Sequence, residues 1–405
     1  MALEGLTARA GLTTRYGLTP WWLRVLIVFV ASRIVSTSIL LYYASIQLKN
    51  PWTQGSPGYF DFARIWDAHW YYIISVVGYP SVLPVTVDGH IGESAWAFMP
   101  MYPSLVRLFT LTTGQDFAPV AVAVSVAFAL GTALLFYKLM ARFLEPGTAL
   151  FSVVLFCFAP LSPILQVGYA ESMHTFFLTL ALYLLVTRRY WQLLPVVCVM
   201  ALTRPSGLAF ALALALHVVW RLWHRRSDEF PLREQLAAVI ATLFSGFMGV
   251  AWLLIAWGVT GSPTAYTDTE LAWRAGYIGY TELVPFASWI SGAEFWLRFP
   301  QGWGIVIAGA GFILGFIALV LSPLGKRLGP DIRFWLISYL AYLLAVFFPQ
   351  SSTFRLLVPL FPVLGAVAQP RHPAYRIALV LLFIAGQVIW VQIAWYVDGS
   401  DWTPP

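Results

Sequence analysis

Apolar residues run through the chain in eleven blocks, at about 22–46, 117–140, 147–167, 172–187, 190–204, 206–223, 236–260, 302–322, 333–349, 354–369 and 375–397. Apolar runs of this length with so few charges predict helices crossing a bilayer, because roughly 20 apolar residues span its hydrocarbon core. Several blocks, including 190–204 and 354–369, are shorter than a perpendicular crossing requires. Two long stretches, 47–116 and 261–301, break the pattern. In the first, polar and aromatic residues mix with apolar ones at near-helical spacing from Asp61 to Tyr79 and from Glu93 to Phe109. That spacing predicts amphipathic helices lying on a membrane face, joined by a link from Gly78 to Gly92. The first apolar block is too long for a cleavable signal and lacks a small-residue cleavage site. The expected fold is an all-α polytopic membrane protein, one integral domain over residues 1–405.

Composition sharpens this picture. Of 405 residues, 60% are hydrophobic and 10% charged, against about 25% charged in ordinary soluble domains. A soluble enzyme, a disordered tail and a nucleic-acid binder are all excluded. Placing the N-terminus in the cytoplasm and alternating puts 16 bases and six acids inside, and leaves eight bases and 12 acids for the other side and the membrane. An excess of Lys and Arg marks cytoplasmic loops, so an odd number of spans is expected, N-terminus in and C-terminus out, in the cell membrane. Only three of the 24 bases are lysine, a bias of GC-rich bacterial genomes. Cys157 and Cys198 both lie in apolar runs and suggest no disulfide framework.

The outer-side charges recur inside five short motifs at helix mouths, where charge is expensive and commonly functional. In Arg64-Ile65-Trp66-Asp67-Ala68-His69-Trp70-Tyr71-Tyr72, Asp67 sits among aromatics, and partial desolvation makes a carboxylate a better base. The plainer reading pairs Asp67 with Arg64 at i, i+3. His69, two residues on, points elsewhere on a helix. In Trp96-Ala97-Phe98-Met99-Pro100-Met101-Tyr102-Pro103, the prolines predict a turn before 104–110, and the cluster is otherwise an aromatic anchor. In Tyr169-Ala170-Glu171-Ser172-Met173-His174, Glu171 suits a helix N-terminus, and His174 reads equally as a satisfied core histidine. Arg204, in Thr203-Arg204-Pro205-Ser206-Gly207, and Arg355, in Ser351 to Pro362, start outer helices. Each needs a carboxylate or phosphate partner; a structural salt bridge is the alternative.

No Walker loop, Asp-x-Asp pair, metal-ligand set, Gly-x-Ser-x-Gly elbow or dinucleotide fingerprint occurs. Neither a metal nor a nucleotide cofactor is therefore expected. Taken in order, Trp66-Asp67-Ala68-His69-Trp70-Tyr71, Gly78-Tyr79, Phe98 to Pro103, Tyr169-Ala170-Glu171-Ser172 and Thr203 to Gly207 resemble the PIG-V family of membrane mannosyltransferases. The resemblance covers roughly 20–225, with an echo from Phe354-Arg355 to Pro362; 261–301 carries no matching motif. It implies a GT-C bundle of about 11 transmembrane helices. It also implies inverting transfer of mannose from a polyprenyl-phosphate mannose to a hydroxyl of a glycolipid or similar acceptor. In such folds a carboxylate of the first long outer loop is the base, and Asp67 matches that position.

Physical reasoning adds Arg204 and Arg355 as partners of the leaving phosphate, with His174 and Tyr169 as hydrogen-bond donors. Glu171, His69, Trp66, Trp70 and Tyr102 are expected to bind the acceptor or to support those that do. Asp61 is the rival base. The partners expected are thus the lipid-linked donor, the hydroxyl acceptor and the bilayer, with no nucleic acid. Three other readings remain open: a lipid or sugar transporter, a GT-C enzyme using another polyprenyl-phosphate sugar, and a non-catalytic scaffold.

Overall fold

A computed structural model describes residues 19–350 and 352–397. Glu4, Arg9, Arg15 and Ser351 of the sequence reading lie outside the described residues. The described chain is helical: α1 (Trp21–Ile46), α2 (Asp67–Val77), α3 (Met101–Thr113), α4 (Phe117–Met140), α5 (Pro146–Phe158), α6 (Glu171–Val186) and α7 (Tyr190–Ala201) form its first half. The second half is α8 (Gly207–Trp223), α9 (Leu232–Thr260), α10 (Ala265–Ile278), α11 (Ala287–Leu297), α12 (Gly302–Leu321), α13 (Gly329–Val346) and α14 (Pro373–Trp390). Extended pairing among the described residues is limited to one bridge, Val85 with Ile91.

Among the described residues, five helices are long and apolar enough to cross a membrane: α1, α4, α9, α12 and the run Pro373–Trp395. The expected eleven spans are thus not matched one for one; α5 to α8 are shorter apolar helices of 10–17 residues. Proline explains the two largest departures. The 147–167 block ends as a helix at Phe158, and Pro160 and Pro163 turn the chain into a 3₁₀ segment, Ser162–Gln166. The 354–369 block is a helical turn (Thr353–Leu356), a 3₁₀ run (Val358–Val363) and a second turn (Leu364–Val367). Pro359 and Pro362 lack the amide hydrogen that an α-helix interior requires. The 261–301 stretch holds two helices, α10 and α11.

In the first long loop, the predicted helix from Asp61 to Tyr79 divides into a turn, Tyr59–Phe62, and α2. The predicted helix 93–109 becomes a 3₁₀ turn, Ala95–Ala97, and α3. Pro103 sits in the first turn of α3, where its missing N–H forfeits no intrahelical bond, so the helix starts at Met101 rather than after the proline.

Two features fix the end of the bundle where the site forms. Helix α8 packs between α9 and α13, and its contact with α9 is closest at two glycines. A Cβ on Gly207 would lie 2.6 Å from the Gly249 nitrogen, and one on Gly249 would lie 2.6 Å from the Leu208 nitrogen. Arg33, within α1, donates to the Cys157 and Ser162 carbonyls at 3.0 and 2.9 Å and to the Ser162 hydroxyl at 2.8 Å. It therefore satisfies backbone oxygens freed where α5 ends, a structural contact. The opposite end of α8 carries its own buried polar set: His217 Nδ1 lies 2.6 Å from Asp331, and Arg221 donates to Glu234 at 2.9 Å.

Candidate functional site

Asp67 is the first residue of α2, and the residue before it creates that position. Trp66 adopts φ 59°, a backbone region unfavourable to a bulky side chain that persists only where surroundings over-determine it. Here they do. The Trp66 indole N–H donates to the Trp395 carbonyl at 3.1 Å, Trp395 donates to the Phe62 carbonyl at 3.1 Å, and the Trp52 ring lies 4.5 Å from that of Trp66. The break turns the chain so that α2 begins with a carboxylate at the positive end of its dipole. The Asp67 amide donates to the Tyr169 hydroxyl at 3.1 Å.

Three other elements meet this point. Glu171 and His174, at i, i+3, open α6. Arg204 comes from the turn between α7 and α8. Arg355 comes from the turn Thr353–Leu356, which α13 holds in place: the Tyr339 hydroxyl donates to the Leu356 carbonyl at 3.0 Å and the Trp335 indole to the Pro359 carbonyl at 2.9 Å. Arg355 Nη1 is paired with Asp67, and its Nε lies 3.7 Å from Glu171 Oε1. Arg204 Nη1 donates to Glu171 Oε1 at 2.6 Å. Two carboxylates and two guanidiniums thus form one network, with all four side chains at most 16% exposed. The Arg355 guanidinium also lies 5.6 Å from the centre of the Tyr169 ring. His174 Nε2 is 2.9 Å from the Ser206 hydroxyl, whose proton reaches the Arg204 carbonyl at 3.2 Å. Glu171 Oε2 and Arg355 Nε are buried without a hydrogen-bond partner among the described residues, so the network retains unused capacity.

Asp67, His174, Arg204 and Arg355 face a cavity of about 340 Å³, within the range of small-ligand sites. Glu171 faces a small side chamber shared with His174, Arg204 and Arg355. Tyr169 is fully buried behind them. The other sequence candidates stand further off. Tyr102 is buried against α4, its hydroxyl 3.1 Å from the Ala121 carbonyl and 3.0 Å from the Ser125 hydroxyl. Trp66 serves the break before Asp67. Trp70 stacks on Phe98 at 5.7 Å and meets Trp273 edge-on at 5.8 Å, behind the cavity wall. His69 is exposed beside Tyr72, and what burial it has, with Arg64 nearby, lowers its pKa. Asp61, 63% exposed, faces Arg64 at 3.9 Å; the i, i+3 pairing suggested for Asp67 and Arg64 is replaced by the long-range pair with Arg355.

The far wall of the cavity was absent from the motif reading. Helix α10 contributes Tyr266, Glu270, Trp273 and Arg274, and α13 contributes Tyr339 and Tyr342. A signal existed: Tyr266, Glu270 and Arg274 recur at i, i+4, i+8, one face of a helix. No group of three His, Cys, Asp or Glu side chains placed to hold a metal ion occurs among the described residues.

No protein-family model and no curated protein matches the sequence. Solved structures of similar shape include the archaeal oligosaccharyltransferase AglB from Archaeoglobus fulgidus, in complex with an inhibitory peptide and a dolichol-phosphate. It shares 12% identity over 91% of this chain and 55% of its own, with a TM-score of 0.45. ArnT from Cupriavidus metallidurans, bound to undecaprenyl phosphate, shares 14% identity over 89% of this chain and 62% of its own, with a TM-score of 0.48. This chain therefore spans little more than half the length of these proteins.

Proposed function

We propose that this chain is a GT-C-type membrane glycosyltransferase that moves mannose from a polyprenyl-phosphate mannose to a hydroxyl of a glycolipid or similar acceptor, with inversion, Asp67 acting as base. The observation that carries the reading is a carboxylate on a cavity wall with two largely buried guanidiniums around it. Displacement of a sugar phosphate with inversion needs both a base and an anion receptor, with the reacting carbon between them. The motif resemblance through Asp67, Arg204 and Arg355 points to the same chemistry.

In the reaction, the acceptor hydroxyl attacks the anomeric carbon and gives its proton to the Asp67 carboxylate. The carbon–oxygen bond to phosphate breaks, and its electron pair leaves on the phosphate oxygen. Arg204 and Arg355 meet that charge, so the leaving group needs no proton. In the empty site Arg355 holds Asp67. An arriving phosphate competes for that guanidinium, and Arg355 turning to the phosphate frees the carboxylate to act as base. Donor binding and base activation are thereby one event. The site opens on the outer face of the cell membrane, with the N-terminus cytoplasmic, where nucleotide sugars are scarce and lipid-linked sugars are presented.

The test is transfer of radiolabelled mannose from polyprenyl-phosphate mannose to a panel of glycolipids by purified wild type and Asp67→Asn. Loss of the base is expected to lower turnover roughly 10²–10⁴-fold with donor binding retained. Transfer at the wild-type rate by Asp67→Asn would remove Asp67 from the mechanism. Preference for another polyprenyl-phosphate sugar in the same assay would replace mannose.

A further inference from the structure

The proposed mechanism uses the Asp67 end of the cavity and leaves the α10 wall without a task. Tyr266, Glu270, Trp273 and Arg274 fall on one face of α10 and all line the cavity. Arg274 is already occupied, donating to the Ser288 hydroxyl at 3.1 Å and to the Val346 carbonyl at 2.5 Å. Glu270 forms no salt bridge among the described residues, and Tyr266 precedes it by one turn on the same helix face. The Trp273 indole N–H and Gln350 Oε1 are buried and have no hydrogen-bond partner among the described residues, and both residues line the same cavity. Buried polar atoms left unpaired are costly; these two belong to side chains lining the cavity but are themselves closed off from it, so the ligand-facing acceptor on this wall is the Glu270 carboxylate.

The chemistry of that ligand follows by elimination. A phosphate is repelled by Glu270 and attracted to the two arginines at the other end. An apolar tail leaves the Glu270 carboxylate without hydrogen bonds. A cation is disfavoured because two guanidiniums, Arg204 and Arg274, line the same cavity. A neutral polyol both gives and accepts hydrogen bonds, and its C–H faces suit aromatic walls such as Trp273, which Trp70 and Phe98 brace at 5.8 and 6.1 Å. With the phosphate at Arg204 and Arg355, in-line attack places the acceptor on the opposite side of the reacting carbon, away from the arginines.

We propose that Glu270, Tyr266 and Trp273 form a subsite for the hydroxyl groups of an uncharged sugar, the carbohydrate part of the acceptor. This assignment rests on the glycosyltransferase reading for the sugar's role, and on the α10 geometry alone for its binding.

Ligand-observed NMR on the full chain in detergent separates the two. The probes are mannobiose, glucosamine and a short isoprenyl monophosphate; the proteins are wild type, Glu270→Gln, Glu270→Asp, Trp273→Phe and Arg204→Ala. Mannobiose is expected to bind wild type and to weaken roughly tenfold or more in Glu270→Gln, the scale of a hydrogen bond to a charged group. Isoprenyl phosphate binding is expected to stay unchanged there and to fall in Arg204→Ala. Trp273→Phe narrows the aromatic wall against which the sugar would lie, and a several-fold loss of mannobiose is expected. Glu270→Asp keeps the charge, and an intermediate loss is expected; it stands in if the glutamine variant does not fold. The proposal is overturned if wild type binds no mannobiose, if the Glu270 variants bind it as wild type does, or if glucosamine is preferred. Mannobiose binding that depends on Glu270, without isoprenyl phosphate binding to wild type, would instead overturn the glycosyltransferase reading and leave the subsite standing.

Discussion

Replacing Glu171 by glutamine probes the charge balance of the site. The side chain keeps its shape and an acceptor oxygen but loses its charge. Glu171 is 2% exposed, 2.6 Å from Arg204 and 3.7 Å from Arg355. Asp67 and Glu171 together match the two arginines, so the empty site is neutral. The variant leaves two largely buried guanidiniums facing one carboxylate. At charge separations of about 4 Å and an effective dielectric near 20, each lost attraction is worth about 4 kcal/mol before desolvation is counted. Breaking a buried pair by removing one partner costs about 3–5 kcal/mol by measurement elsewhere. Scaling the unfolding entropy by chain length converts this to a drop in Tm of roughly 4–6 °C. The uncompensated positive charge is also a better anion receptor. An isoprenyl monophosphate is therefore expected to raise the Tm of Glu171→Gln by more than it raises that of wild type. Thermal unfolding of the purified protein in detergent, with and without that phosphate, reads both effects. A Tm within 1 °C of wild type, or a larger phosphate-induced rise in wild type, refutes the account of a neutral, mutually compensating set.

Three further outcomes follow from the packing and the buried polar groups of the protein. Gly249→Ala puts a methyl group 2.6 Å from the Leu208 backbone nitrogen, a neighbour that cannot rotate away. Forcing α8 and α9 apart is expected to cost about 1–3 kcal/mol and to lower activity through Arg204, three residues before α8, as thermal unfolding and the mannose-transfer assay would show. Arg33→Ala frees the Cys157 and Ser162 carbonyls inside the bundle; at about 1–3 kcal/mol per unsatisfied buried group, a clear loss of Tm is expected without a change in substrate preference. Burial raises the Glu270 carboxyl above its ordinary 4.5, opposed by Arg274, Tyr266 and Arg204, and Asp67 adds to the rise. An acid with a raised folded pKa binds more protons folded than unfolded, so its contribution to stability falls as pH rises from about 4.5 through the raised value. Glu270→Gln is expected to flatten that slope and to gain Tm at neutral pH, measured by unfolding from pH 4 to 8; an unchanged slope would show that Glu270 is not the group responsible.

How much of this was legible in the sequence depended on which physical rule decided each element. Helices α1, α4 and α12 fall within a residue or two of the apolar blocks that announced them, because a long run of uniform hydropathy with polar ends leaves one solution. The 147–167 and 354–369 blocks are as apolar, yet Pro160, Pro163, Pro359 and Pro362 break them, since hydropathy does not register a missing amide hydrogen. The site divides in the same way. Scarce charge made Asp67, Glu171, Arg204 and Arg355 stand out, and the structure gathers all four. Sequence proximity favoured Arg64 as the partner of Asp67, whereas the structure brings Arg355 to it across 288 positions. Glu270 lies on a helix within a stretch that carries no motif, and its interest comes from facing the cavity without a salt bridge among the described residues. Local pattern identifies residues that need a partner; only the fold says which are satisfied. Here the arginine end is internally neutral and the α10 end is not fully paired. An anionic ligand must therefore break an existing ion pair at one end, while a hydroxyl-bearing one can meet the Glu270 carboxylate at the other without displacing a salt bridge. On the proposed mechanism that asymmetry sets an order of events: a phosphate frees Asp67 only by displacing Arg355, whereas a sugar at α10 displaces no ion pair.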